Sequence, residues 1–178
     1  MPGSWHHLDT PILWAVLLLV IVQRLAELRV ARRHTRHLLS QGGYEVGANH
    51  YPLIVAIHTG WLLALLALLV TGSARLQLVP LCLYLILQPL RLWVMMSLGQ
   101  YWTTRVIVLP QAPLIRRGPY RLFRHPNYLI VVMEIALLPL AFGAWHVALL
   151  FSGLNAAALG LRLGVESGAN QSRPINHV

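Results

Sequence analysis

The sequence contains no lysine, a single cysteine and only 5 acidic residues among its 178. Without lysine, chemistry that needs a catalytic amine, such as Schiff-base formation, is excluded. Cys82 has no partner for an internal disulfide, and its apolar surroundings predict a buried apolar residue. Charged residues make up 11% of the chain, whereas an average soluble domain carries roughly 25%. This composition excludes a conventional water-soluble domain.

What the chain does have is arginine and long apolar runs. All 14 of its basic residues are Arg, the formal net charge is +9, and 57% of the residues are hydrophobic. Such a basic balance can indicate nucleic-acid binding, but these arginines lie beside apolar runs, where they orient a membrane protein. We therefore expect membrane lipids as neighbours and no nucleic-acid partner. No metal site is predicted.

The apolar runs predict an all-α integral membrane bundle of about five transmembrane helices, in a single domain of residues 1–178. About 20 apolar residues are needed to span a bilayer. The predicted segments are helix 1 at 11–37, helix 2 at 51–70, helix 3 at 78–98, a long polar loop at 99–126, and a helical hairpin at 127–142 and 146–166. Pro11 suits the first turn of helix 1, and Pro89 predicts a kink or local break in helix 3.

The placement of the arginines predicts the orientation of the bundle. Two connections are rich in arginine, and the remaining ones hold Arg75 alone. The two clusters are Arg24, Arg29, Arg32, Arg33 and Arg36 after the first segment, and Arg105, Arg116, Arg117, Arg121 and Arg124 between the third and fourth. By the positive-inside rule both clusters face the cytoplasm, which leaves the N-terminus outside and the C-terminus inside.

Several polar residues lie within the predicted spans at one depth. Measured from the inner ends of their helices at 1.5 Å per residue, Arg91, His58 and Glu134 lie about 10–12 Å deep. Asn155 falls at a similar level, and Arg24 with Glu27 lies toward the same side. Ionisable groups in a membrane are costly and usually face the interior of the bundle. We expect Arg91 and Glu134 to approach each other, and the layer favours a polar cavity that opens to the cytoplasm.

A distinctive segment joins the basic loop to the fourth apolar run. Residues 118–128 read Gly-Pro-Tyr-Arg-Leu-Phe-Arg-His-Pro-Asn-Tyr, and Pro126 suits the first turn of a helix. A juxtamembrane anchor, with arginines at the headgroups and tyrosines at the interface, has the same composition. The segment does not stand alone, however, because Arg162 and Glu166 follow it after a hairpin of fitting length.

Together these residues resemble the isoprenylcysteine carboxyl methyltransferase (ICMT) family of integral membrane enzymes. The family signature is similar to Gly118-x-Tyr120, then Arg124-His125-Pro126-x-Tyr128, a helical hairpin, and Arg162-x-x-x-Glu166. The run from Leu98 to Thr103 resembles the start of the family's cofactor loop. The run from Asn49 to Pro52, with Glu134, resembles small bacterial members that O-methylate polyketide lipids such as alkylpyrones and alkylresorcinols. This resemblance implies residence in a bacterial inner membrane.

The resemblance also implies a cofactor, S-adenosyl-L-methionine, and a role for each matching residue. Arg162 is implied as the catalytic residue that faces the oxygen of the methyl acceptor. The implied cofactor-binding residues are Leu114, Ile115, Tyr120, His125, Pro126, Asn127, Tyr128 and Glu166. The acceptor is expected to be a lipophilic small molecule or a prenylated substrate that enters from the bilayer. One departure from the family is Ser167, which stands where the signature has a second acidic residue.

Four alternatives to lipid O-methylation stay open on the sequence alone. Two are methyl transfers, to the carboxylate of a prenylated cysteine in a protein or to the amine of a phospholipid. A more distant enzyme class is a sterol-reductase-like protein, which has a similar hairpin but binds NADPH. The non-enzyme alternative is a structural membrane protein whose arginines only set its orientation.

The orientation can be tested by cysteine labelling. With Cys82 removed, we expect Gly43→Cys and Gln111→Cys variants to resist a membrane-impermeant thiol reagent in intact cells, because both arginine-rich connections face the cytoplasm. Both variants should react once the membrane is permeabilised. Labelling of either variant in intact cells would show that the orientation is wrong.

Overall fold

The computed structural model describes residues 6–110, 112 and 115–171, and describes side chains from residue 9 to residue 164 of these. It confirms an all-α bundle of apolar helices. The helices are α1 (His6–Ser40), α2 (Tyr51–Val70), α3 (Leu78–Leu98), α4 (Pro126–Ala141) and α5 (Trp145–Gln171). Two short strands, β1 (Tyr44–Glu45) and β2 (Ile107–Val108), pair antiparallel.

Two helices coincide with their predicted segments, and the others extend or shift. α1 begins at His6, so Pro11 lies inside the helix rather than in its first turn, and that expectation was wrong. Most residues just before Pro11 are polar, so a search for apolar runs does not find the start of α1. Pro89 lies inside an α3 that is continuous from Leu78 to Leu98, so no break occurs there. Cys82 is exposed rather than buried, because it lies on the outer surface of the bundle.

Within the described residues, four helices are long and apolar enough to cross a membrane, and α4 is shorter. The 16 residues of α4 extend about 24 Å at 1.5 Å per residue, less than the ~30 Å of a bilayer core. The helix packs mainly against α3 and α5. Its buried face includes Ile135, Leu138 and Ala141, and Trp61 of α2 donates a hydrogen bond from Nε1 to the carbonyl oxygen of Ile135 at 3.2 Å. The protein is therefore an integral membrane protein in which α4 lies at the centre of the packing.

The two ends of the bundle are built differently. At one end, the short α2–α3 connection is joined to the α4–α5 turn by hydrogen bonds from Arg75 N to Phe142 O and from Gln77 N to Ala141 O, at 3.0 and 2.9 Å. At the other end, β1 and β2 join the two long polar connections. The arginines of the first cluster lie in the second half of α1, which leads to β1, and those of the second cluster lie in the loop that contains β2. Both clusters therefore lie toward the same end of the bundle, as predicted. Which side of the membrane this end faces stays a prediction.

The structure also bears on where that prediction is tested. A Cβ atom at Gly43 would lie 2.7 Å from the carbonyl oxygen of Leu38, so a cysteine there disturbs the turn after α1. The neighbouring Gln41 is exposed and offers a site for the label on the same connection.

Four charged side chains from three helices form one buried network, which confirms the expected approach of Arg91 and Glu134. Arg91 donates from Nη1 to Glu134 Oε2 at 2.8 Å, and from Nε and Nη2 to the two carboxylate oxygens of Glu27 at 2.7 and 2.6 Å. Arg24 pairs with both carboxylates, at 2.8 Å to Glu27 and 2.9 Å to Glu134. Two arginines thus face two glutamates, and the charges balance.

The polar layer therefore has a different organisation from the one expected. Gln88 donates to Glu134 Oε1 at 3.1 Å, and Gln23 donates to Gln88 and Glu27, so amides complete the network. The four charged side chains contact one another, and none of them lines the cleft described below. His58 lies apart from these bonds, because its Nδ1 donates to the carbonyl oxygen of Ile54 in its own helix.

The network should govern the stability of the bundle. In Glu134→Gln, two buried arginines are left with one carboxylate, and breaking a buried pair in this way typically costs about 3–5 kcal/mol. We expect a loss of that size in reversible unfolding from detergent micelles. Glu45→Gln is the matched control, because its pair with Arg105 is partly exposed and should contribute about 1 kcal/mol or less. Equal stabilities for the two variants would contradict a stabilising role of the network.

Candidate functional site

A cleft of about 240 Å³ lies at the polar end of the bundle, where the loop after α3 meets the start of α4 and the second half of α5. It is open to one side and is lined by backbone and side chains of the loop, together with residues of both helices. The lining residues are Leu98, 101–103, 105–108, Tyr120, His125, Asn127, Tyr128 and Arg162. Ligand sites typically measure 300–1,000 Å³, so the cleft holds part of a ligand that extends beyond its mouth.

The start of α4 places three of these side chains. His125 precedes Pro126, and a residue before proline is disfavoured in the helical region, so the helix begins at Pro126 itself. Tyr128 follows His125 by three residues, and their rings stack with centroids 5.3 Å apart and planes 5° from parallel. Asn127 lies between them on the cleft side. The first turn of α4 thus presents a flat aromatic surface beside an amide.

Arg162 connects α5 to both other parts of the cleft. Its Nε donates to the hydroxyl oxygen of Tyr128 at 2.8 Å, and its Nη1 donates to the carbonyl oxygen of Thr104 at 2.9 Å. The guanidinium carbon also lies 5.4 Å from the centroid of the Tyr128 ring. The side chain of this arginine is therefore held by α4 and the loop.

The loop is held against the helices at both of its ends. Near its start, the ring of His34 in α1 donates from Nδ1 to the carbonyl oxygen of Trp102 at 2.9 Å. Near its end, Arg117 donates from Nε to the carbonyl oxygen of Ser97 at 2.7 Å. Gly118 follows with φ at +56°, and a side chain there would collide with that of Ser97. The glycine of the motif is therefore needed for close packing of the loop on α3.

Two buried polar atoms of the cleft have no hydrogen-bond partner among the described residues. They are the side-chain oxygen Oδ1 of Asn127 and the indole Nε1 of Trp102. A buried polar group without a partner is costly, and such groups are uncommon unless a ligand or water completes them. One is an acceptor and the other a donor, so a ligand with both kinds of group satisfies them.

The cleft is cationic. Arg105 and Arg162 both line it, and no acidic side chain is among its described lining residues. Apolar and aromatic surface from Tyr101, Trp102 and Tyr128 surrounds these charges. The arrangement suits a ligand that combines flat or apolar parts with an anionic group.

The structure brings together five of the predicted site residues. Tyr120, His125, Asn127, Tyr128 and Arg162 all line the cleft. Pro126 is buried and starts α4 without lining the cleft, and Ile115 is half-buried outside it. Leu114 and the side chain of Glu166 lie outside the described residues.

Some lining residues carried no recognised signal in the sequence. In the sequence analysis, Arg105 serves only to predict which side of the membrane the loop faces. Residues 106–108 form too short an apolar run to predict a role in a site. The run from Leu98 to Thr103 did carry a signal through its resemblance, although no role was assigned to its members. The signal that favours the β1–β2 pairing is the run of β-branched residues Val106, Ile107 and Val108, together with the β-prone Tyr44 and Val46.

The fold and this cleft define a helical membrane protein with a ligand site at one end of its bundle. The model of the isoprenylcysteine carboxyl methyltransferase family matches residues 78–170, from the start of α3 through the cleft and most of α5. The chain belongs to this family of membrane methyltransferases, which confirms the resemblance. No solved structure matches the chain significantly.

Similar proteins occur in bacteria. The uncharacterised protein YpbQ of Bacillus subtilis (strain 168) is 37% identical over 165 residues, which cover 91% of this chain and 98% of that protein. An uncharacterised protein of Haemophilus influenzae is 22% identical over 156 residues, which cover 84% of this chain and 90% of that protein. The likeness to both extends beyond the family match and includes the α1–α2 part.

Proposed function

We propose that the protein is an S-adenosyl-L-methionine-dependent O-methyltransferase that acts on a lipophilic acceptor at the cytoplasmic face of the membrane. The observation that carries the proposal is the meeting of His125, Asn127 and Tyr128 with Arg162 in one cleft. Tyr128 in the motif at the start of α4 and Arg162 on α5 are 34 residues apart in the sequence, and they are joined by a hydrogen bond. A juxtamembrane anchor does not require this contact, whereas a shared ligand site does.

The residues of the cleft fit this cofactor. S-Adenosylmethionine has a flat adenine, ribose hydroxyls and an amino-acid group with a carboxylate. The orphaned Asn127 Oδ1 and Trp102 Nε1 offer one acceptor and one donor for such groups. The His125–Tyr128 stack offers a flat surface for a ring, and the guanidinium groups of the loop offer partners for a carboxylate. When bound, the cofactor supplies an electrophilic methyl group, which the acceptor oxygen takes in a direct displacement.

The protein's own contribution is orientation and exclusion of water. Arg162 is held by Tyr128 and Thr104, so its guanidinium can position an anionic oxygen without moving and without acting as a base. Attack of an anion on a cation annihilates charge, and water stabilises the separated charges more than the transition state. Partial enclosure by Trp102, Val108 and Tyr128 therefore favours the reaction.

The surroundings of the cleft favour an anionic lipophilic acceptor. Two guanidinium groups line the cleft, and they disfavour a protonated amine such as that of a phospholipid. Leu122 and Phe123 are 79% and 53% exposed on the loop, between Tyr120 and His125 of the lining. Apolar side chains flanked by arginines suit the boundary between headgroups and acyl chains. An alkylpyrone, an alkylresorcinol or a prenylated carboxylate meets both requirements.

The cofactor can be tested first in the parent protein. We expect tritiated S-adenosylmethionine to bind the detergent-solubilised protein and S-adenosylhomocysteine to displace it, while NADPH does not compete. Methyl-transfer assays on an alkylpyrone and on a farnesylated cysteine analogue would then separate the two acceptor classes. Binding of NADPH without binding of the sulfonium cofactor would overturn the proposal in favour of a reductase.

A second prediction concerns the unpartnered amide of the cleft. In Asn127→Leu, no hydrogen bond to a described residue is lost, so we expect the thermal midpoint to stay within about 2 °C of the parent. Affinity for S-adenosylhomocysteine should fall about two- to tenfold, the value of one neutral hydrogen bond. Asn155→Leu is the matched control, because Asn155 is buried outside the cleft and should leave the affinity unchanged. Unchanged affinity in Asn127→Leu would contradict a contact with the cofactor.

Arg162→Ala and Glu166→Ala should fail in different ways. The resemblance implies that Glu166 contacts the cofactor, so Glu166→Ala should weaken S-adenosylmethionine binding about ten- to hundredfold, as expected for a charge-assisted bond. Arg162→Ala should leave cofactor binding nearly intact and depress turnover, because the acceptor oxygen loses its position.

Isothermal titration beside the methyl-transfer assay measures both effects. Arg162→Lys is the control for loss of the hydrogen bonds to Tyr128 and Thr104. If this variant keeps the thermal midpoint of the parent but has a lower turnover, Arg162 positions the acceptor oxygen and is not needed only for folding. If both alanine variants bind and turn over like the parent, the proposed roles are wrong.

A further inference from the structure

Arg105 lines the same cleft as Arg162 but is held from a different part of the chain. Its Nη1 donates to both carboxylate oxygens of Glu45, at 2.9 and 2.7 Å. Its guanidinium carbon lies 4.5 Å from the centroid of the Tyr51 ring. Glu45 belongs to β1 and Tyr51 is the first residue of α2, so both partners lie outside the residues matched by the family model.

The guanidinium of Arg105 retains donors for a ligand. Arginine has five N–H groups in a planar fork, and both bonds to Glu45 use Nη1 alone. Within the part of the chain that the structure describes, Nε and Nη2 make no hydrogen bond. These two atoms form the side of the guanidinium that binds a carboxylate with two parallel bonds. Arg91 uses the same side on Glu27 in the buried network, which shows the geometry within this protein.

The same tertiary contacts fix Arg105 relative to Arg162. Arg162 donates to the carbonyl oxygen of Thr104, the residue that precedes Arg105. The hydroxyl groups of Tyr51 and Thr104 are 3.3 Å apart, so α2 contacts the side chain of the same residue. The two guanidinium groups of the cleft are therefore connected through Thr104, which α2 and α5 both contact.

We propose that Arg105 is a second anion-binding residue of the cleft and that Glu45 and Tyr51 are its positioning residues. The ligand group is an oxyanion, a carboxylate or an enolate, bound by Nε and Nη2. It is either the amino-acid carboxylate of the cofactor or the reacting oxygen of the acceptor, and this assignment rests on the proposed function. Glu45 holds the guanidinium through Nη1 and Tyr51 supports its face, so less side-chain freedom is lost when the oxyanion binds.

A plain structural role accounts for less of the geometry. An ion pair that only secured β1 against β2 would supplement a connection that the Val46 N to Val106 O bond, at 2.9 Å, already makes. It would also give no reason for Arg105 to line the cleft with its carboxylate-binding side unoccupied by described residues. The structural role predicts equal effects on every ligand, and this distinguishes it from anion binding.

Two pairs of ligands test the assignment by titration of the purified protein in detergent, and in each pair only one member carries a free carboxylate. S-Adenosylhomocysteine carries the amino-acid group, and 5′-methylthioadenosine lacks it. N-Acetyl-S-farnesylcysteine carries a free carboxylate, and its methyl ester does not. We expect the parent to prefer the carboxylate-bearing member of at least one pair, and Arg105→Gln to reduce that preference about 10- to 100-fold. Loss in the first pair assigns Arg105 to the cofactor carboxylate, and loss in the second assigns it to the acceptor.

Three further variants separate positioning from folding. Arg105→Lys keeps the charge but not the planar fork, so it should restore only part of the preference. Glu45→Gln should reduce the preference in the same pair by a smaller factor, with no further loss when combined with Arg105→Gln, because it acts through that residue. Arg121→Gln is the matched control: it removes the same charge from an exposed site of the same loop, outside the cleft, and should change affinities by less than about twofold.

The outcomes distinguish this inference from the proposed function. A parent that binds neither nucleoside contradicts the proposed function, whereas the farnesylcysteine pair still tests Arg105. A parent without preference in either pair, or an Arg105→Gln variant that keeps the parent's preference, overturns the anion-binding assignment. Equal loss of affinity for both members of a pair, accompanied by a lower thermal midpoint, overturns it in favour of the structural role.

Discussion

The network of Arg24, Glu27, Arg91 and Glu134 joins α1, α3 and α4 at a level where water is scarce. An unpaired charge at such a depth costs about 2.5–3.5 kcal/mol on insertion scales. Arg91 contacts both carboxylates with three nitrogen atoms, so a shift of any of the three helices by one turn would leave charges unpaired. The network therefore sets the relative height of these helices, which apolar packing alone specifies only loosely.

The height of the helices in turn sets the geometry of the cleft. Leu98 ends α3 seven residues after Arg91, and Tyr128 lies six residues before Glu134. At 1.5 Å per residue, both are about 10 Å from the network, in the direction of the polar end. The pairing of Arg91 with Glu134 thus holds the end of α3 level with the start of α4. The loop between them can then bring Trp102 and Arg105 opposite the first turn of α4.

The cleft is assembled from parts of the chain that serve different purposes. The start of α4 gives a rigid aromatic surface, because Pro126 fixes where the helix begins and His125 stacks on Tyr128. α5 contributes Arg162, which contacts both α4 and the loop. Glu45 of β1 and Tyr51 of α2 hold the loop from outside the matched family region. The motif at the start of α4 is therefore combined with contacts from parts of the chain that the family model does not match.

The sequence alone was sufficient for the fold class, for the segments of α2 and α3, and for the polar layer that contains Arg91 and Glu134. These features follow from local patterns: apolar runs long enough for a bilayer, and ionisable residues too costly to leave without partners. It also indicated five of the cleft residues through their motif. It did not show that α1 begins at His6, since most residues before Pro11 are polar. It predicted that Arg91 approaches Glu134, but not that Arg24 and Glu27 join them in one network that does not line the cleft.

Only the tertiary structure decided which side chains meet. The contacts of Arg162 with Tyr128 and Thr104, and of Arg105 with Glu45, join residues 34 to 60 positions apart. No periodicity in a single sequence encodes such distances, because they depend on how helices pack and on where a loop returns. Local sequence thus determined what each segment is, and packing of the segments determined what they form together.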